Sequence, residues 1–142
     1  MDINWSYKNK SRVFDTKENG GVPYLSFKAL DDTGLAVNGF STRMGGASRG
    51  KFSTMNFSYS RGDAAEDVLE NFTRMAAALG VERDRMVVSH QTHTVNLRRV
   101  TLEDAGKGVI RERDYRDIDG LITDVPGLTL VTFYADCVPL YL

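Results

Sequence analysis

Four kinds of residue in this chain have side chains suited to chemistry: a cysteine, the carboxylate beside it, two histidines, and an arginine in a glycine-rich loop. Cys137 and Asp136 sit in Leu128–Leu142, LTLVTFYADCVPLYL, an almost unbroken apolar run. Such a run reads as a strand buried on both faces. A carboxylate inside it costs several kcal/mol in desolvation unless it is paired, and chemistry is one reason to tolerate that cost. Strand alternation turns Asp136 and Cys137 to opposite faces, so they do not form a simple dyad. Cys137 is therefore open to three readings: nucleophile, metal ligand, or small buried hydrophobe.

The only histidines are His90 and His93, separated by Gln91 and Thr92. Their flanks, Met86–Ser89 and Val95–Val100, are strand-like, and in strand geometry a separation of three points them to opposite sides. At most one then faces a given site. One cysteine and one histidine fall short of the three protein ligands of a catalytic zinc. Upstream, Ser41–Gly50 (STRMGGASRG) is glycine-dense and must be a loop. Gly45–Lys51 satisfies G-x-x-x-x-G-K, yet Phe52 stands where a magnesium-binding Ser or Thr belongs. The following FSTMNFSYS is not an amphipathic helix, which argues against a nucleotide P-loop. A loop that brings Arg43 and backbone N–H groups to an anion competes with an ordinary surface loop.

These residues need scaffolding. The clearest element is a helix from about Ala64 to Leu79, with Asp63 as N-cap, Glu66 three residues on, and Gly80 as the stop. Val68, Phe72, Met75 and Leu79 form its apolar stripe, widened by Leu69 and Ala76. Arg12–Asp15, Tyr24–Ala29 and Leu35–Phe40 are short strand candidates, the first two separated by the turn-rich KENGGVP. Thr101–Asp117 is charged and glycine-spiced and reads as a solvent-facing loop or lid. Ile118–Thr123 leads through a turn into the final strand. The fold class is α+β, with mixed sheets packed against helices, in one domain spanning 1–142 or a portion of one.

With 18 basic and 19 acidic residues, net charge is −1. That balance offers no footprint for nucleic acid or an anionic membrane. No apolar stretch is long enough to span a bilayer, and a single cysteine suits a reducing cytoplasm.

Four stretches read together carry a resemblance. They are Phe40-Ser-Thr-Arg-Met-Gly-Gly-Ala-Ser-Arg-Gly50, Gln91-Thr-His93, Asp119-Gly-Leu-Ile-Thr123 and Ala135-Asp-Cys-Val-Pro139. In this order the chain resembles the YfiH/YlmD family, which carries the older label of multicopper polyphenol oxidase (laccase) and includes purine nucleoside phosphorylases. The resemblance implies a zinc enzyme that phosphorolyses adenosine, inosine, guanosine and methylthioadenosine to base and pentose 1-phosphate, and that also deaminates adenosine. It places His93 and Cys137 on the family's zinc ligands, with Asp136 as the companion of the cysteine, and Arg43, with Gly45 and Gly46, on its glycine-rich loop, from which contact with phosphate or the substrate pocket is inferred. The family's second ligand histidine lies in a later H-x-G-W-R-G motif that these 142 residues do not contain. The chain is accordingly expected to be the N-terminal portion of a domain of about 250 residues. Alone, it is expected to hold zinc poorly. Two alternatives stand beside this reading: a copper-dependent phenol oxidase, for which one Cys/His set is thin, and an inactive fragment or binding module.

Overall fold

A computed structural model describes Ser6 and residues 13–138. The architecture is α+β, and the chain falls into two compact units, Met1–Gly80 and Val81–Leu142. In the first unit, β1 (Phe14–Asn19) and β2 (Val22–Phe27) pair antiparallel, and β3 (Phe40–Ser41) joins the far edge of β2. The hairpin turn is Gly20–Gly21, both at positive φ (57° and 78°). A two-residue turn of that hand needs residues without a Cβ penalty, so the strands run closer together along the sequence than the expected loop allowed. The Leu35–Phe40 strand shrinks to Phe40–Ser41, and Leu35 is 89% exposed. Asn38 explains the loss. Its side-chain amide accepts from the Phe27 N–H (2.7 Å) and donates to the Phe27 carbonyl (3.4 Å) and to Asp31 (2.8 Å). A side chain thus takes the ladder positions beside Phe27 that a strand would have used.

The single helical turn α1 (Lys28–Asp31) follows β2, and α2 (Ala65–Leu79) is the helix the apolar spacing predicts. Val68, Phe72, Met75, Ala76 and Ala78 are buried on one face. Met75 and Ala78 pack with Val22, Tyr24 and Met55. Gly80 ends the helix at φ 70°. The cap differs from expectation, because Ala64 is the N-cap and no side chain caps it. Asp63 Oδ2 instead accepts from Ser48 Oγ (2.7 Å) and Asn56 Nδ2 (2.8 Å), and this carboxylate oxygen is spent on the loop before the helix begins.

In the second unit, β4 (Met86–Val88) pairs parallel with β7 (Thr129–Val131), and β5 (Leu97–Arg99) pairs parallel with β6 (Gly120–Ile122). Val87, Val100, Tyr115 and Leu128 form the core. Thr101–Asp117 is solvent-facing only in part. Gly106 donates to the Met86 carbonyl and Val88 to the Lys107 carbonyl, so the segment runs along β4 as a partner. Asp104 and Lys107 are buried as an ion pair at 2.7 Å, with Arg98 also on Asp104 and the Tyr115 hydroxyl donating to the Val88 carbonyl (2.6 Å). Burial pushes the Asp104 carboxyl up, yet hydrogen bonds from Lys107, the Thr101 N–H and Arg98 outweigh it and hold the group at about 2. Asp104 and Lys107 are internal partners, whereas Glu103, Arg111, Glu112, Asp114, Arg116 and Asp117 are exposed on the outer side of the segment.

The expected Leu128–Leu142 strand stops at Val131. β4 gives its last ladder bond when Ser89 donates to the Val131 carbonyl; beyond that point no backbone partner continues the sheet among the described residues. Phe133 is 40% exposed and Val138 89% exposed, so the run is not buried on both faces. Residues 139–142 lie outside the described residues.

Phe72 packs its ring against Phe57 and Tyr59 at centroid distances of 4.9 and 6.1 Å. Phe72→Ala should therefore cost the first unit about 3–5 kcal/mol in denaturant unfolding. A loss below about 1 kcal/mol would show that the helix–loop core is not packed this way.

Candidate functional site

The glycine-rich loop belongs to the first unit. Gly45, at φ 82°, lies against the hairpin turn, where an added Cβ would meet the Gly21 carbonyl at 2.5 Å. At Gly46 a Cβ would stand 2.0 Å from the Thr54 carbonyl oxygen, so only glycine passes there. The Gly46 N–H donates to Thr54 Oγ1 (3.3 Å) within the loop. Arg43 is exposed, and its Nη2 donates to the carbonyls of Ser53 (3.1 Å) and Lys51 (3.4 Å). Its carbonyl accepts from Thr54 and Met55 N–H groups and from Thr54 Oγ1. A single 3-10 turn, Gly50–Phe52, stands where a P-loop would open a long helix. The loop is a self-bonded arch that carries Arg43, Arg49 and Lys51 on its exposed side.

The histidines lie in the second unit, and the segment joining them is not a strand. His93 has φ 64°, a left-handed conformation rare for a residue with a Cβ. Parity therefore does not separate His90 from His93; hydrogen bonding does. His90 exchanges two backbone bonds with Ile118, and its Nδ1 accepts from the Asp117 N–H (3.1 Å). His93 is exposed, and among the described residues no hydrogen bond engages its ring.

Asp119 holds the His93 turn. Its carboxylate accepts from three successive backbone N–H groups, those of Thr92 (3.2 Å), His93 (2.8 Å) and Thr94 (2.9 Å), and from Thr94 Oγ1 (2.7 Å). Four donors on one carboxylate stabilise its charged form. The Thr94 N–H leads, partial desolvation opposes it, and the Thr94 hydroxyl with the other two N–H groups completes the effect, so the group is lowered from 3.8 to about 2. From sequence, Asp119 stands in one of the four stretches that carry the family resemblance but has no role of its own. Its signal is an Asp followed by Gly at the start of β6, which is also what an ordinary turn shows.

Gln91 is the second residue sequence reasoning misses. Its Oε1 accepts from the Phe133 N–H (2.7 Å) and from Ser89 Oγ (3.2 Å), tying the histidine loop to the segment that carries Cys137. Cys137 is exposed and Asp136 is not turned away from it: Sγ and Oδ1 stand 3.8 Å apart, because this segment is loop and strand alternation does not apply. His93 and Cys137 fit zinc by donor type, since imidazole and thiolate are its usual partners. Among the described residues, no group of three or more His, Cys, Asp and Glu side chains is disposed to hold a metal ion. The donor set in this chain is thus partial.

Every candidate residue falls within residues 37–142, which match the family described as multi-copper polyphenol oxidoreductase laccase. The chain belongs to this family. Among its relatives in that family, the purine nucleoside phosphorylase YlmD of Geobacillus stearothermophilus is 37% identical over 110 residues, covering 75% of this chain and 39% of the relative. A purine nucleoside phosphorylase of Mycobacterium bovis is 38% identical over 99 residues, covering 70% of this chain and 37% of the relative. The crystal structure of YlmD from G. stearothermophilus superposes with a TM-score of 0.74 at 34% identity, over 88% of this chain and 45% of that one. That of YfiH from Bacillus licheniformis gives 0.76 at 26% identity, over 89% and 46%. The chain therefore spans less than half the length of each of these relatives.

Asp119 generates the prediction for this site. A carboxyl lowered in the folded state stabilises above its unfolded value of 3.8 and loses that contribution as pH falls through about 2. The amide signals of Thr92, His93 and Thr94 should titrate together with a midpoint near 2, and Asp119→Asn should abolish that titration and speed exchange at all three. Three unrelated midpoints, or one near 3.8, would mean the carboxylate does not hold the turn.

Proposed function

We propose that this chain contributes to a purine nucleoside phosphorylase. The observation that carries the reading is its identity of 37–38% to proteins named as such, together with a family match over residues 37–142, which hold the glycine-rich loop, the His93 turn and Cys137. In phosphorolysis a phosphate oxygen forms a bond to C1′ of the pentose as the bond from C1′ to the purine nitrogen breaks. The electron pair leaves with the base, which takes up a proton. Arg43 suits the phosphate: two backbone carbonyls orient its guanidinium, and the planar fork retains donors for a tetrahedral anion. Gly45 and Gly46 let the loop pass close to the hairpin and the helix, which shapes the arch beneath Arg43.

His93 and Cys137 are the proposed zinc ligands, with Asp136 beside the thiol to orient it, and the rest of the coordination shell comes from outside the described residues. When bound, zinc supplies Lewis acidity to the reacting centre. Deamination of adenosine and cleavage of methylthioadenosine belong to the same proposal, as does work in the cytoplasm, where a lone exposed thiol stays reduced. Among the described residues no helix is long and apolar enough to cross a membrane. The family's copper-oxidase description asks for several copper sites, and two histidines with one cysteine are sparse for that.

The test uses the full reading frame that contains these residues, with adenosine, inosine and guanosine as substrates. Base release should require phosphate, and zinc should be the bound metal. His93→Ala and Cys137→Ser should each remove stoichiometric zinc, while His90→Ala keeps it. Arg43→Lys should raise the phosphate KM by a factor corresponding to about 1–3 kcal/mol, because ammonium lacks the bidentate fork. Base release that ignores phosphate, or bound copper in place of zinc, would defeat the proposal.

A further inference from the structure

Asn71 is 0% exposed, on the face of α2 that also carries Val68, Phe72 and Met75. A buried amide in apolar surroundings is costly unless its groups are bonded, and here they are. Its Oδ1 accepts from the Ala47 N–H (2.7 Å), and its Nδ2 donates to Ser48 Oγ (2.8 Å) and to the Asn56 carbonyl (2.7 Å). Both amide protons and the oxygen are thus spent, and all of them on the glycine-rich arch. None of the three serves the helix itself. The arch lies directly over the amide, since a Cβ on Gly46 would stand 2.7 Å from Asn71 Oδ1.

We infer that Asn71 is a positioning residue for the arch, fixing from inside the helix the loop that presents Arg43 to phosphate; the inference rests on the phosphate reading given above. The connection can be followed bond by bond. Asn71 holds Ala47, Ser48 and Asn56, and Asp63 holds Ser48 and Asn56 a second time. Ser48 N–H then donates to the Thr54 carbonyl (3.0 Å), and the Thr54 N–H (3.1 Å) and Oγ1 (2.7 Å) donate to the Arg43 carbonyl. The neighbouring Ser53 carbonyl accepts from the Arg43 guanidinium. Both the backbone and the side chain of Arg43 are therefore set by an arch whose two limbs meet on one buried amide. A leucine would fill the same space without this reach, which is why an amide at a core position points to the loop and not to packing.

The test titrates inorganic phosphate into the isotopically labelled product of the full reading frame that contains these residues and follows the amide signals of Gly45, Ala47 and Gly50. Asn71→Leu should weaken phosphate by about tenfold or more while the α2 signals persist. Ala77→Gly, which destabilises the same helix from its exposed face, should leave phosphate affinity within about a factor of two. If Asn71→Leu loses the α2 signals, Asn71→Ser decides the matter, since the shorter hydroxyl cannot bond Ala47, Ser48 and Asn56 together and leaves the Ser48–Asp63 bond in place. A fall of about threefold or more supports the inference, and no change overturns it. Equal phosphate binding by Asn71→Leu and the parent overturns the inference alone. A parent chain whose loop amides ignore phosphate defeats the phosphate reading and this inference with it.

Discussion

A histidine at φ 64° needs something to hold it there, and the Asp119 carboxylate supplies it. Left-handed backbone costs a residue with a Cβ about 1–2 kcal/mol, and a single turn has no ladder to offset that. Three consecutive N–H groups converge on Asp119 and orient the turn so that the His93 ring stays exposed without a protein hydrogen bond among the described residues. Strain of this kind persists where surrounding contacts over-determine it, and such positions concentrate at functional sites. His90, three residues earlier, shows the contrast: its ring nitrogen and both backbone groups are committed to residues 117 and 118.

The two units solve one problem twice. Each has to fix an irregular loop that carries exposed candidate side chains, and each does so with a polar side chain placed on a regular element or at its edge. In the first unit that residue is Asn71 on α2; in the second it is Asp119 at the threshold of β6. Asn71 is buried and neutral and does not itself titrate. Asp119 is charged and partly exposed, which makes its hold on the His93 turn depend on pH in the acid range. Buried pairing in the second unit goes further with Asp104 and Lys107, whose mutual neutralisation lets a charged segment line β4.

What the sequence disclosed follows from what each signal measures. Helix α2 was legible because apolar spacing at the helical period, kept over fifteen positions, fits no strand or loop, and the Gly20–Gly21 region was recognisable as a turn. Leu128–Leu142 misled because hydrophobicity reports the capacity to be buried, while burial also needs a partner strand, and the β4 ladder ends at Ser89. Thr101–Asp117 misled in part: most of its charges are exposed as they read, but Asp104 and Lys107 meet inside, and charge alone does not reveal such a pair. Asn38 erased a strand by substituting its amide for a ladder, which no periodicity reveals. In both units the candidate residue types were readable and their supports were not. His93, Cys137 and Arg43 stand out by chemistry, whereas Asp119, Gln91 and Asn71 act only through the loops they bond. Asn71 did leave a trace, as a polar residue on the apolar face of a helix.

Membership of the laccase-named family and similarity to purine nucleoside phosphorylases point to different chemistries, electron transfer in one case and group transfer in the other. We propose group transfer, because the arch offers an oriented guanidinium that suits a phosphate. The decisive measurement is the fate of labelled inorganic phosphate when the full reading frame acts on adenosine. Group transfer predicts that each adenine released is matched by one labelled phosphate carried on the pentose as its 1-phosphate. Adenine accompanied by free, unlabelled pentose would contradict it.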